Sequence, residues 1–258
     1  MTDQRRQAAP PARPLKAAMG LIFAGLPGIV SLFLVLPPVA GVPTPLLVLN
    51  PLLFLVGMAL IGAWAAPRAL LSSRIADRTQ GRDIAILPSD WPFLLVAGAL
   101  AGTVVALADH GTRPFWQPAP LAPPSLVESW DVTATVVGVL YGGVVEEILM
   151  RWGLMSLLVL GAWTLMARHA PRPPAAALWT GIVLAALLFA AGHLPVLMAT
   201  GAEIEAPLLL RTLFWNALIG LLFGWLYATR DLEAAMLAHA GFHLGLVPIG
   251  LAATAFAA

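Results

Sequence analysis

Of the 258 residues, Asp, Glu, Lys and Arg make up 10% and apolar residues 60%, whereas a soluble domain carries about a quarter charged residues. Water is therefore not the main solvent of this chain. The net charge of +1, with basic residues scattered over loops, offers no face for nucleic acid. No cysteine is present, which excludes disulfides and thiolate metal sites and leaves His and carboxylates as the ligands any metal would use.

The N-terminal stretch MTDQRRQAAPPARPLK carries basic residues ahead of an apolar run, as a signal peptide does. That run, Ala17 to Leu36, is long enough to span and lacks a small-x-small cleavage site, so it reads as a retained first helix. Further stretches of spanning length follow at roughly 46 to 66, 91 to 108, 132 to 167, 175 to 199, 207 to 228 and 232 to 257. The expectation is an all-α polytopic bundle of about seven helices (six to eight), the fourth segment being too long for one simple crossing. Residues 1 to 16 form a tail and 17 to 258 a single transmembrane domain.

Lys and Arg fall unevenly between the connections. The tail holds four, 67 to 90 four, 168 to 174 two and Arg230 one, against none in 37 to 45 and one each in 109 to 131 and 200 to 211. The positive-inside rule puts the N-terminus in the cytoplasm. The Pro-rich, aromatic segment 109 to 131 then lies outside, as an interfacial lid or tether. Lys16 is the only lysine, and this Ala-rich, Arg-over-Lys composition points to a bacterial inner membrane.

The fourth span carries Glu146-Glu147-Ile148-Leu149-Met150-Arg151. An ionised group in the hydrocarbon core costs several kcal/mol, so such groups face a partner or a wet cavity. On an α-helix Glu147 and Arg151 share a face in the favourable acid-before-base order. Glu147 is then the paired, structural carboxylate, and Glu146, about 100° away, is free for proton chemistry. Gly142 and Gly143, a turn upstream, admit close helix approach.

Three histidines lie within apolar spans. His193 follows Phe189 by four residues, which puts the two rings on one face with Gly192 leaving room beside them. His239 and His243, in HAGFH, are likewise four apart, a spacing able to present two imidazoles to one ligand or metal. His110 and His169 read as solvated loop residues. Asn216 reads as an interhelical hydrogen-bonding residue that can support the site. Trp215, Trp225 and Tyr227 read as packing or interfacial residues. Asp231 and Glu233 read as N-terminal capping residues of the last helix.

The succession Glu146-Glu147…Arg151, Phe189…His193 and His239…His243 resembles the EExxxR, FxxxH and HxxxN motifs of the CPBP family of intramembrane proteases, which includes CAAX prenyl proteases and bacterial abortive-infection and bacteriocin-processing proteins. The resemblance covers about 130 to 248, the protease-like core. It implies peptide-bond hydrolysis in the membrane, with a membrane-associated or lipidated peptide as substrate. Glu146 and His193 would activate water, and His239 and residue 243 would stabilise the oxyanion. Glu147 and Arg151 would orient the helix, with Phe189 and Asn216 as supporting neighbours. The family's usual Asn is His243 here, which leaves open a zinc-dependent version with ligands from Glu146, His193, His239 and His243; no cofactor is otherwise expected. Two other classes compete: a non-catalytic immunity or scaffold protein, and a transporter with a Glu/His proton relay. No paired interrupted spans of the inverted-repeat kind support the latter.

Depth is the one conflict. Counted from the cytoplasmic surface at 1.5 Å per residue, His239 lies about 12 Å in, Glu146 roughly 10 Å and His193 near 27 Å. A shared site requires either that the fifth helix begin in a cytoplasmic vestibule, with Pro171, Pro173 and Pro174 preceding it, or that the fourth segment bend. The first is the favoured expectation.

Overall fold

The computed structural model describes residues 13–36, 41, 43–116, 123–199, 201 and 204–257; most of the expected tail, and Pro37 and Pro38, lie outside them. Among these residues the chain is helical, with seven helices long and apolar enough to cross a membrane. We number them α1 (Pro14–Ser31), α2 (Leu49–Arg68), α3 (Trp91–Gly111), α4 (Val132–Ala167), α5 (Ala175–Gly192), α6 (Ala206–Thr229) and α7 (Leu232–Gly245). Their outer surface is apolar. Phe23, Leu53, Leu100, Val104, Leu188 and Phe214 are all at least half exposed, as expected where lipid rather than water is the solvent. The chain is an integral membrane protein of the all-α, polytopic class.

Small residues set the closest helix approach. Gly98 and Gly102 on α3 face Gly241 and Gly245 on α7, two GxxxG pairs on helices whose N-termini both follow arginine-bearing connections. A Cβ at Gly98 would overlap the Ala238 carbonyl, and one at Gly241 the Leu95 carbonyl. Backbone-to-backbone packing of this kind supplies dispersion energy where lipid gives no hydrophobic drive. Thr103 Oγ1 adds a hydrogen bond to the Gly245 carbonyl at 2.9 Å. The third span, which carries no recognisable motif, thus positions the helix that bears His239 and His243.

The over-long fourth span is resolved by its winding. Within α4, Gly138–Glu146 and Ile148–Met155 are π-helical, flanked by α-helix at Val132–Val137 and Ser156–Ala167. Such i→i+5 winding usually occurs as single turns and concentrates at functional sites; here it holds Glu146 and Arg151, with Glu147 at the junction of the two stretches. Trp152, 2% exposed, anchors this stretch on α2 by donating from Nε1 to the Ala59 carbonyl at 3.2 Å.

The hairpin between α4 and α5 relates two of the three depths, those of the acidic run and His193. Gly181 of α5 packs against Val159 of α4, and from that contact Glu147 lies twelve residues along one arm and His193 twelve along the other. The arms are equal in residue count, and Glu146 and His193 line one cavity. Pro195 then interrupts the helix, and His193 sits at that break, at the end of α5.

The ends of the bundle that meet the arginine-bearing connections are tied together. Ser73 caps the short helix Arg74–Thr79, and Glu233, 3% exposed, accepts from Ser73 Oγ (2.7 Å) and from the Arg74 and Ile75 amides (2.8 and 3.0 Å). Asp231 caps α7 through the Ala234 amide and pairs with Arg74 at 2.5 Å. The expected capping role of Asp231 is met, while Glu233 reaches across to another segment. At the same end Arg230 pairs with Asp90 at 2.7 Å; the hydrogen bond from Arg230 holds the Asp90 carboxyl below its ordinary 3.8.

Candidate active site

Glu147 occupies the centre of a buried polar knot. Its Oε1 lies 2.7 Å from His239 Nδ1 and its Oε2 3.2 Å from Arg151 Nε, and neither Glu147 nor Arg151 exposes more than 1% of its surface. Arg151 also donates from Nη2 to the Gly220 carbonyl of α6 at 3.2 Å and places its guanidinium 5.0 Å from the centre of the Phe189 ring and 5.7 Å from that of Phe223. The expected Glu147–Arg151 pair is present. The link to His239 is an addition that sequence spacing did not reveal.

Hydrogen bonding constrains the imidazoles. His193 Nδ1 lies 2.9 Å from the Phe189 carbonyl, which only accepts, so Nδ1 carries a proton and Nε2 of the neutral ring presents a lone pair. The Phe189 and His193 rings meet edge to face at 4.7 Å rather than stacking face to face. His239 is stacked between Phe223 at 4.5 Å and His243 at 5.2 Å. Gly138 and Gly142 face the His243 ring, and a Cβ on either would collide with it; Gly143 lies against Ala240, the expected close approach.

A cavity of about 450 Å³ joins these groups. Glu146, Phe189, His193, Asn216, His239 and His243 all line it, and Glu147 and Arg151 do not. Glu146 is half-buried and Glu147 fully buried. Adjacent carboxylates are thus divided between a cavity and a protein interior, as the expected split of roles required. Asn216 departs from expectation in one respect, because its amide donates to Thr212 O within its own helix at 2.8 Å instead of bridging helices. Trp215 also lines the cavity, Tyr227 is buried and bonded to Ser156 Oγ at 2.8 Å, and Trp225 is exposed. His110 belongs to the last turn of α3, not to a loop, with Nδ1 3.0 Å from Ser125 Oγ, while His169 lies in the exposed turn after α4 beside Arg168.

Sequence reasoning missed the outer wall of the cavity. Asp109, fully buried at the end of α3, takes both Arg211 Nε and Nη2 at 2.7 Å and the Leu126 amide at 2.9 Å. Trp116 donates to the Asp109 carbonyl at 3.1 Å, and the Arg211 guanidinium sits 4.1 Å from the centre of its ring. Arg211 and Leu126 both line the cavity. The available signal was one acid at the end of the third span and one base at the start of the sixth, on the same side of the membrane.

The zinc-dependent alternative needs three converging ligands. Among the described residues no three His, Asp or Glu side chains are so grouped. The His239 and His243 rings lie near-parallel, 19° apart, so their in-plane lone pairs do not converge, and His239 Nδ1 is engaged by Glu147. The donor set does not fit that ion, and no step is derived through it.

A helical membrane bundle thus holds a Glu/His cavity over a buried Glu–Arg–His knot. Residues 128–245 match the family model described as type II CAAX prenyl endopeptidase Rce1-like. This part of the chain, just under half of it, is similar to that family of CAAX-type membrane proteases, and the match spans α4 to α7 with every motif residue inside it. No curated protein and no solved structure matches the chain.

Proposed function

We propose that the chain is an intramembrane endopeptidase that hydrolyses a peptide bond of a membrane-associated or lipidated peptide through water activated by Glu146 and His193. The observation that carries this reading is the convergence of Glu146, His193, His239 and His243 on one cavity, with Glu147 and Arg151 behind it. Water enters between Glu146 and the Nε2 lone pair of His193, gives up a proton as its oxygen attacks the scissile carbonyl, and that proton later goes to the departing amine as the C–N bond breaks.

His239 and His243 stabilise the oxyanion. For His239 this role requires a proton on Nε2 while Nδ1 faces Glu147: the ring is a neutral Nε2–H tautomer when Glu147 carries the proton between them and an imidazolium when Nδ1 carries it. In both cases Glu147 fixes the tautomer, and in the second it offsets the charge as the buried Asp does in a Ser–His–Asp triad. A donor aimed at a developing oxyanion is worth about 10²–10³ in rate. The protein acts as one transmembrane domain in a bacterial inner membrane, its N-terminus cytoplasmic, with lipid around it and no cofactor.

The test compares purified wild type and Glu146→Ala on a panel of lipidated and transmembrane peptides, with products read by mass spectrometry. Cleavage by wild type and its loss in the variant support the reading. Identical behaviour of the two proteins overturns it.

A further inference from the structure

The cavity belongs to one end of the bundle. Its lining includes Val35 after α1, Leu126 in the segment before α4, Ala134 in the first turn of α4, His193 at the end of α5, and Arg211 and Trp215 near the start of α6. All of these lie toward the ends joined by the connections poor in Lys and Arg. Of the two basic residues there, Arg211 is paired with Asp109 and Arg113 with Glu128.

The opposite end bears the mark of a cytoplasmic interface. Eleven of the fourteen Lys and Arg residues fall on its connections, and basic connections stay inside. Exposed Trp64, Trp91, Trp179 and Trp225 lie near those same helix ends, which places them at a membrane interface, since tryptophans gather at both faces of the bilayer; the side itself is assigned by the basic residues.

Between that end and the cavity the bundle is sealed. Arg151, Trp152, Met155, Ser156 and Tyr227 are at most 2% exposed. Below them Glu233 ties α7 to the 73–75 backbone, and the Leu232 amide donates to Ser72 O at 3.1 Å. A peptide reaching Glu146 from the cytoplasm would have to break this layer, including a buried ion pair worth several kcal/mol to disrupt.

We infer that the cavity opens to the extracytoplasmic side, so that the substrate is a peptide segment of an exported or membrane-anchored protein presented from the outer leaflet. This rests on the peptidase reading above. A tail lipidated in the cytoplasm does not meet such a site.

The chain has no cysteine, so single cysteines report sidedness directly. Full-length Trp215→Cys (cavity), Phe115→Cys (outer) and Ile86→Cys (inner) are expressed in bacterial cells and exposed to a membrane-impermeant maleimide before and after permeabilisation. Trp215→Cys and Phe115→Cys are expected to label in intact cells, and Ile86→Cys only after permeabilisation. The reverse pattern, or a Trp215→Cys that stays unlabelled from outside, overturns the inference.

In a second arm, a single-span reporter carries one cleavable peptide on either its extracytoplasmic or its cytoplasmic side, and only the first is expected to be cut in a Glu146-dependent way. Preferential cutting of the cytoplasmic reporter overturns the substrate assignment. Loss of cleavage of both reporters, with outside labelling intact, overturns the peptidase reading while supporting the sidedness.

Discussion

Replacing Glu147 by Leu strands the Arg151 guanidinium in a site where it is 1% exposed, leaving it the Gly220 carbonyl and two aromatic faces. Breaking a buried pair from one side costs about 3–5 kcal/mol, and loss of the 2.7 Å acceptor for His239 Nδ1 adds about 1–3 kcal/mol. A double variant, Glu147→Leu with Arg151→Met, strands no charge and is expected to recover most of the first loss, because apolar replacement of a whole buried pair is often close to neutral. Activity is not expected to recover with stability. Without Glu147 nothing sets the His239 tautomer or offsets its charge, and the corresponding defect in a Ser–His–Asp triad is on the order of 10⁴ in rate. Denaturant unfolding in detergent micelles and peptide cleavage, measured on wild type, both single variants and the double, separate the two effects. A Glu147→Leu protein within about 1 kcal/mol of wild type, or a double variant no more stable than that single, would refute the reasoning.

Further outcomes follow from other contacts. His193→Ala is expected to reduce kcat by roughly 10²–10⁴ with unfolding nearly unchanged, since His193 sits at a helix end and bonds only its own turn; unaltered kcat would remove it from the reaction. Gly98→Leu drives a side chain into the Ala238 carbonyl and is expected to destabilise α3 against α7 and yield inactive or aggregated protein, checked by size-exclusion chromatography; a well-folded, active variant would show that this contact does not position α7. Asp109→Ala strands Arg211 and releases the Leu126 amide, with an expected loss of about 2–5 kcal/mol and faster proteolysis of the 112–131 segment. The Asp90 carboxyl is held below its ordinary 3.8 by Arg230, so its contribution to stability is complete above the unfolded value and disappears as pH falls through the lowered folded one. Wild type and Asp90→Asn, compared by thermal unfolding, are expected to differ slightly at neutral pH and to converge in acid, and a gap that widens in acid would contradict this.

Composition and run length already determined that the chain is a membrane bundle of about seven helices, because twenty apolar residues in succession have one stable solution in lipid. The charged run and the three histidines were legible for the same reason: in an apolar background each polar residue is conspicuous and needs a partner. Spacing divided Glu147 and Arg151 from Glu146, a division that survives the change from α- to π-helical winding.

Tertiary structure alone decided the rest. The contact between Gly181 and Val159 packs α5 on α4, and Glu146 and His193 meet on one cavity, which distance counted from a bilayer surface could not foresee. The 2.7 Å contact from Glu147 to His239 joins residues 92 positions apart. The Asp109–Arg211 wall spans 102. Sequence periodicity describes one helix at a time, whereas each of these contacts depends on how two helices are offset and rotated against each other. That relation is set by where glycines let backbones touch, which is why the residues of the site were visible in the sequence and their assembly was not.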